Sequence, residues 1–571
     1  MNKFIFVSGG VCSSLGKGVA ASSIGALLEA RGLNVRMIKC DPYINVNAGT
    51  MSLYQHGEVY VTDDGAETDL DLGNYARFTK GRLSKANSMT TGQVYESVIR
   101  KEREGRYDGC CLQVIPHITD EIKSRILAVS KEDNDNDVII IEIGGTVGDI
   151  ESVPFLEVAR QMIHEYGRKN AISVHLTLIP EVGSGELKTK PTQHSVKSMQ
   201  ELGIQPDILI CRSPIMLDEP TRQKIAQFTN VDFDSVFSSP NIHTTIYEEP
   251  IIFFDQKLDQ VVLKKMGVES RHAKMKPWHT VMEQFKARKG KVRIGVVGKY
   301  IELHDAYKSI YEALFHASLE NAVEVELVKI ESSILDGEAE REKTDSVLEN
   351  DALNGKVDGV LVIGSFGDCG INGMVKAAAW ARENKVPYFG ICLGMQVMAI
   401  EWARNVLNWE DAGFSGVNPD SKHPVISLLK DQVDIKTFGS TMRLGAYESV
   451  IEDNTHLSKA YGEKRIQERH RHRYEFSNQY RDKMKSSGLI FSAYNSISAI
   501  KTAGANSLND IKTSSSAAIS DSALADSLEW PDHPWGVGVQ FHAEYKSKPM
   551  SAAPLFREFI AAVKSRCSVS G

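Results

Sequence analysis

The chain has 571 residues, 25% of them charged, with a formal net charge of -8. That length exceeds one ordinary domain, and a mildly acidic chain has no broad electrostatic footprint for nucleic acid. No apolar run is long enough to span a bilayer, and MNKFIFVSGG lacks a signal-peptide core with a cleavage site. The eight cysteines (Cys12, Cys40, Cys110, Cys111, Cys211, Cys369, Cys392 and Cys567) have neither paired zinc spacing nor a disulfide framework. A cytoplasmic, reducing setting is expected.

In chain order, KFIFVSGG, LNVRMIKCD, DNDVIIIEIGG and ISVHLTLIP read as buried strands, with GVAASSIGALLEARG a helix between the first two. Strand–helix–strand order predicts a parallel α/β sheet. The stretch 271–291, RHAKMKPWHTVMEQFKARKGK, is charged and aperiodic and reads as a partly helical linker. KVRIGVVGKY then opens a second α/β series, with VDGVLVIGSFG and VPYFGICLG as later strands. Residues 497–528, rich in Ser and Ala without a stable period, are expected to form a surface loop. The expected layout is a first domain at 1–270, the linker at 271–291 and a second domain at 292–571.

SGGVCSSLGKGVAASSIGALL follows a strand and opens a helix. Glycines let backbone N–H groups approach phosphate oxygens, a helix N-terminus favours anions, and Lys17 adds a point charge. Two positions depart from the usual phosphate loop: Val11 stands where the first glycine would be, and Gly18 where a magnesium-binding Ser or Thr would be. A ligand-free glycine turn has the same composition. Hard cations need carboxylates, which Asp71 in DDGAETDLDLG and Glu142 in IIIEIGGTVGDIES offer; either acid could equally cap a helix or face solvent. In GELKTKPTQHSVKSMQELG, Lys188 and Lys190 flank Thr189 ahead of a helical pattern, which suits a triphosphate or a plain solvated surface.

In PYFGICLGMQ, Cys392 sits where a strand pattern gives way to a helical one, with Gly390 and Gly394 two residues to either side. That is the pattern of a nucleophile elbow, though a small buried thiol also fits it. Downstream, GVGVQFHAEY offers His542 and Glu544 just past an apolar strand. Residues i and i+2 leave a strand on one side, so both are expected to face one cleft as base and orienting acid for the thiol.

SSLGKG, DPYINVNAGTMSLYQHGEVYVTDDGAETDLDLGNYARF, EIGGTVGDIES, KTKPTQHSV, GICLGMQ and ERHRHRYEF occur in this order, and together they make the chain resemble the CTP synthases over nearly its whole length. The resemblance implies a P-loop-like parallel α/β synthetase domain followed by a class I glutamine amidotransferase α/β domain. It implies that ATP phosphorylates the 4-oxygen of UTP and that ammonia from glutamine then displaces the phosphate to give CTP. By matching motifs, Ser14, Leu15, Gly16, Lys17, Gly18, Val19, Lys39 and Asp71 would hold ATP, and Asp71 and Glu142 would hold Mg2+. Ser13, Lys188, Thr189, Lys190, Pro191, Thr192, Gln193 and Lys224 would bind UTP. Asp149, Ile150 and Glu151 match the segment for feedback by CTP, and His56 the gate on the ammonia route. Cys392, His542 and Glu544 would form the glutaminase triad, with Gly364, Ser365, Leu393, Gln396 and Arg473 around glutamine. The resemblance further implies a homotetramer, with filaments as a larger assembly.

The second half departs from that family in a cluster of places. In VIGSFGDCGINGM, Ile363 replaces a proline, Ser365 a glycine, and Cys369 an arginine associated with the activator GTP, so GTP dependence is in doubt. Gly416, in DAGFSGVNP, stands where a glutamate would meet the amino group of glutamine. Ala543 breaks the usual His-Pro-Glu, and Leu53 replaces a proline near His56. Two alternatives to a glutamine-dependent enzyme follow: an ammonia-dependent one with an impaired glutaminase, and a filament-forming structural homologue.

Overall fold

The computed structural model describes residues 2–132, 137–183, 185–269, 271–336, 353, 355–365, 370–416, 420–428, 442–495 and 523–570. It divides into two units, Met1–Ser52 with Glu67–Glu283, and Leu53–Ala66 with Gln284–Gly571. On sequence, Leu53–Ala66 lies inside the first domain. In the structure it is an excursion that packs with the second unit, where Glu58 accepts hydrogen bonds from the N–H (3.1 and 3.2 Å) and hydroxyl (2.6 Å) of Ser309. The expected linker contains the helix Lys276–Ala287, and the boundary between units falls within it.

The first unit is built on seven strands: β1 (Lys3–Gly9), β2 (Val35–Asp41), β3 (Ser88–Thr90), β4 (Val138–Ile143), β5 (Ala171–Leu178), β6 (Ile208–Ser213) and β7 (Val236–Pro240). They are ordered β7-β6-β5-β1-β4-β2-β3, and every pairing is parallel. β2 and β4 are buried at every residue; β4 (VIIIEI) reads as an apolar run broken only by Glu142, whereas β2 (VRMIKCD) also buries Arg36, Lys39 and Asp41. Phe4, Phe6, Ile38, Ile139, Ile141 and Phe155 lie in the core on one face. Helix α1 (Lys17–Ala30) leaves the carboxyl end of β1, the edge where ligands collect in such sheets. Register fixes which side chains meet there: Glu142 pairs with Val7 on one side and Lys39 on the other, and Ser8 pairs with His175.

The second unit is built on a nine-stranded sheet: β8 (Lys291–Gly298), β9 (Glu324–Glu331), β10 (Gly359–Val362), β11 (Tyr388–Ile391), β12 (Arg443–Ile451), β13 (Arg465–His472), β14 (Ile490–Asn495), β15 (Ala525–Glu529) and β16 (Gly536–Val539). The order is β9-β8-β10-β11-β16-β15-β14-β12-β13, parallel from β9 to β16 and antiparallel beyond. The Ser/Ala-rich loop expected to reach residue 528 ends sooner: 496–522 lie outside the described residues, and β15 is a fully buried strand. Among the described residues every cysteine is free, and no helix is long and apolar enough to cross a membrane.

Candidate active sites

In the first unit, β1 runs into a loop with three left-handed residues, Val11 (φ 79°), Ser14 (φ 56°) and Gly16 (φ 89°). Val11 thus takes a backbone conformation that suits glycine and strains a β-branched residue. α1 starts at Lys17 with no side-chain cap on its first turn, leaving N–H groups for an anion. Lys17 lies along Gly9, where a Cβ would be 2.7 Å from Lys17 Cδ, and its ammonium donates to the carbonyl of Gly145. Burial lowers its pKa.

The absence of a hydroxyl at position 18 has a packing cause. A Cβ on Gly18 would lie 2.0 Å from Asp71 Oδ1, so the space a Ser or Thr side chain would fill belongs to the Asp71 carboxylate. Asp71 begins helix α2 (Asp71–Phe78), accepts from Asn74 Nδ2 at 3.1 Å, and pairs with Lys39. Lys39, on β2, also meets Glu142 Oε1 at 3.0 Å, Asp69 at 3.7 Å and Asp41 at 3.8 Å. Burial alone would lower the Lys39 pKa, but Asp71, Glu142, Asp69 and Asp41 together hold it well above its ordinary value. Burial, with the charge of Asp71, pushes Glu142 up to about 7, and Tyr75 donates to its second oxygen. Asp41 is likewise held well above its ordinary range by burial and then by Asp69. Asp41, Asp69 and Tyr75 escaped sequence reasoning; the first stands at a strand end, as Glu142 nearly does, and that position was the available signal.

The KTKPTQ segment opens helix α3 (Lys190–Glu201). Thr189 and Thr192 are buried, with Thr192 donating to Thr177 at 3.0 Å, and Gln193 Nε2 donates to Thr189 at 3.0 Å. Lys188 pairs with Glu186 at 2.6 Å, and Lys224 also helps to lower the Glu186 pKa. Lys190 is exposed and Pro191 half-buried. Ser13, Ser14 and Gly16 are exposed, Leu15 is buried and Val19 half-buried. Asp149, Ile150 and Glu151 form an exposed turn in which Asp149 accepts from the N–H of Thr146 at 3.1 Å. Among the described residues no three His, Cys, Asp or Glu are grouped to hold a metal by themselves.

In the second unit, Cys392 joins β11 to helix α4 (Leu393–Asn405) with φ 56° and ψ -102°, a strained elbow that presents the thiol at the helix start. The flanking glycines are obligatory. A Cβ on Gly390 would be 2.6 Å from the Gly394 carbonyl, and one on Gly394 would be 2.3 Å from the Val362 carbonyl oxygen. A Cβ on Gly364 would meet both Cys392 Cβ and His542 Cε1 at 3.2 Å, so thiol and imidazole converge over Gly364. His542 Nδ1 bonds Glu544 Oε1 at 2.7 Å. Burial alone would lower the His542 pKa, but Glu544 and then Cys392 raise it to about 10. Strand alternation, expected to set the two residues on one side, is not what brings them together. β16 ends at Val539, Glu544 lies in the short turn Ala543–Lys546, and that turn swings its carboxylate back to the ring.

Known proteins bear on both units. The family described as CTP synthase N-terminus matches residues 3–268, and that described as glutamine amidotransferase class-I matches 302–511. A CTP synthase of Clostridium acetobutylicum is 50% identical over 568 residues, 99% of each chain, and one of Carboxydothermus hydrogenoformans is 49% identical over 563 residues, 98% of each. This chain belongs to the CTP synthase family. A solved Trypanosoma brucei CTPS glutaminase domain with bound acivicin is 31% identical, covering 48% of this chain and 94% of that one, with a TM-score of 0.41.

In this member of the CTP synthase family, buried amides pack around the thiol. Gln396 is buried, its amide donating to the Tyr474 carbonyl at 2.9 Å and to Gln540 Oε1 at 3.0 Å. Gln540, not foreseen from sequence, points its amide at Cys392 Sγ at 3.7 Å. Leu393 is buried at the first turn of α4, and Arg473 is exposed beside Tyr474. Gly416 is glycine for a steric reason: a Cβ there would lie 2.2 Å from the Tyr474 hydroxyl, which fills the space of a side chain. Ser365 Oγ is buried without a hydrogen-bond partner among the described residues. Cys369 lies outside the described residues, and His56 is buried at the end of the short helix Leu53–His56.

Proposed function

We propose that this chain makes CTP from UTP, ATP and ammonia, and draws the ammonia from glutamine. A carbonyl oxygen is a poor leaving group, so transfer of the ATP γ-phosphoryl to the UTP 4-oxygen comes first; ammonia then adds at that carbon and phosphate leaves. Lys17 and the uncapped start of α1 suit the ATP phosphates, and Lys188, Lys190 and Lys224 suit those of UTP. Asp71 and Glu142, both turned toward the Lys39 ammonium, present hard oxygen donors in a buried acidic cluster. They fit Mg2+, which would neutralise phosphate charge when bound. In the second unit Cys392 attacks the glutamine amide, His542 carries the proton to the departing ammonia, and Glu544 fixes the ring. The N–H groups of Gly364 and Leu393 are the candidates for the oxyanion. CTP as feedback inhibitor, a homotetramer and a cytoplasmic setting belong to the same reading, and the exposed Ile44, Ile115 and Ile150 supply apolar surface for assembly.

The observation that carries the reading is the convergence of Lys17, Lys39, Asp71 and Glu142 at the carboxyl edge of the first sheet, in a chain half identical to CTP synthases over its whole length. Its test is CTP formation from ATP, UTP, Mg2+ and ammonium by purified protein; no cytidine nucleotide under those conditions overturns it. A second reading, in which free ammonia is the better nitrogen source and GTP has no effect, draws support from the Tyr474 hydroxyl at Gly416 and from Ser365 Oγ, buried with no hydrogen-bond partner among the described residues. Comparing kcat/KM for glutamine, with and without GTP, against ammonium separates the two.

A further inference from the structure

His542 is gripped at two points by residues that also hold the segment Leu53–Ala66. Its backbone N–H donates to the Arg469 carbonyl at 2.8 Å. Its ring stacks on Tyr545, with centroids 5.3 Å apart and an interplanar angle of 24°. Arg469 then reaches into the segment: Nε donates to Asp63 Oδ1 and Nη1 to the Tyr60 hydroxyl, both at 2.6 Å. The Tyr60 hydroxyl donates onward to the Tyr545 carbonyl at 3.2 Å, and the Tyr545 hydroxyl donates back to the Val59 carbonyl at 3.1 Å. Their rings meet edge to face at 5.0 Å. Tyr60, Arg469 and Tyr545 are all buried.

The rest of the segment is fitted as closely. The Ala446 N–H donates to the Asp63 carbonyl at 2.8 Å, and Gly65 and Gly445, both at positive φ, pass backbone against backbone. A Cβ on Gly65 would lie 2.8 Å from the Leu444 carbonyl oxygen, and one on Gly445 2.8 Å from that of Asp63. Glu58 closes the other end on Ser309. A segment that merely filled surface would not need two glycines, a buried arginine and two reciprocal tyrosine bonds.

We propose that Tyr60, Arg469 and Tyr545 are positioning residues that tie the placement of the base His542 to the docking of Leu53–Ala66, the segment that carries His56. The proposal rests on the glutaminase reading above. It makes thiol activation depend on the same docked segment that holds His56, so glutamine is opened when that segment is seated. The two tyrosine hydroxyls are the parts of the clamp that can be removed without removing packing, because phenylalanine keeps both rings.

The test is the pH dependence of Cys392 alkylation by iodoacetamide, read by peptide mapping, in the parent, Tyr60→Phe and Tyr545→Phe. A thiol paired with a well-placed imidazolium reacts at acid pH, where an ordinary thiol is inert. The parent is expected to keep such an acid limb. Both variants are expected to move toward an ordinary thiol profile, with alkylation at pH 6.5 slowed on the order of tenfold. Glutamine-driven CTP formation falls by a similar factor in kcat at constant KM, while ammonium-driven formation stays within about twofold. Asp63→Asn, which loosens Arg469 without touching the core, gives a smaller shift in the same direction. Profiles of both tyrosine variants that superpose on the parent overturn the proposal, as does an equal fall in ammonium-driven and glutamine-driven rates. An ordinary thiol profile in the parent itself overturns the glutaminase reading, and this proposal with it.

Discussion

Replacing Gly18 by alanine tests the arrangement at the mouth of the first sheet. An ideal Cβ at position 18 lies 2.0 Å from Asp71 Oδ1 and 2.6 Å from its Cγ, whereas ordinary contact begins near 3.4 Å, so the carboxylate must retreat by more than about 1 Å. Retreat takes Asp71 away from Lys39 and Asn74. Overpacking of this kind costs about 1–3 kcal/mol, which at about 2–4 °C per kcal/mol lowers the melting transition of the unit by about 2–12 °C. Helix propensity alone predicts the opposite sign, a gain of about 1 kcal/mol for Gly→Ala, so the direction of the change is decisive. A displacement of about 1 Å in a group that orients reacting phosphates costs on the order of 10²-fold in rate. The assays are calorimetric melting and ammonium-driven CTP formation. In Gly18→Ala/Asp71→Ala the clash is gone, so melting recovers relative to Gly18→Ala while the rate stays low. A Gly18→Ala protein that melts no lower than the parent and retains its rate refutes the packing argument and the role given to Asp71.

Glu544→Gln removes the group that most raises the His542 pKa, so glutamine-driven CTP formation falls by about 10³–10⁴ with ammonium-driven formation intact. Because the His542 pKa is higher folded (about 10) than unfolded (6.5), its stabilisation is full below pH 6.5 and is lost as pH rises toward 10; denaturant melts of Glu544→Gln should show that dependence flattened. Glu142 has its pKa raised to about 7 from 4.5, so its contribution to stability is present at low pH and lost as pH rises through 7. Divalent-cation binding in the presence of ATP, followed by calorimetry, should therefore strengthen between pH 6 and 8 in the parent and do so less steeply in Glu142→Gln. Gly416→Glu alone should not lower the KM for glutamine, because the new side chain meets the Tyr474 hydroxyl. With Tyr474→Phe added, a charged contact worth about 1.5–3 kcal/mol becomes available and KM falls by tenfold or more.

What could be read from sequence follows from how each element is satisfied. β1, β4 and β5 were legible because strands covered on both faces are written largely in apolar residues, and β2 was legible from Val35, Met37, Ile38 and Cys40 despite its three charged residues. β15 was not, because ADSLE reads as polar. Its Asp526 is buried against Arg443 at 3.0 Å and Ser449 at 2.6 Å, and its Glu529 accepts from the N–H groups of His456 and Leu457 at 2.8 and 2.9 Å. Partners some seventy residues away or more make that polarity tolerable, and no local window contains them. The excursion Leu53–Ala66 was illegible for a related reason: Glu58, Tyr60 and Asp63 are fitted to Ser309, Tyr545 and Arg469, and only the fold brings those together.

The strained elbow at Cys392 and the glycine loop after β1 were legible because glycine spacing is a local demand of the backbone, visible at Gly390, Gly394 and Gly16. The charge balance around Lys39 was not, and it says most about the first site. Four acids, Asp41, Asp69, Asp71 and Glu142, surround one fully enclosed ammonium, with Lys17 close enough to feel their charge. Fully ionised, that set carries more negative than positive charge in a buried place, and burial with the neighbouring acids raises the pKa of both Asp41 and Glu142. Under the proposed function, a divalent cation arriving with a polyphosphate would supply the positive charge this set lacks, so the same acids would favour a metal-bound nucleotide over the bare one.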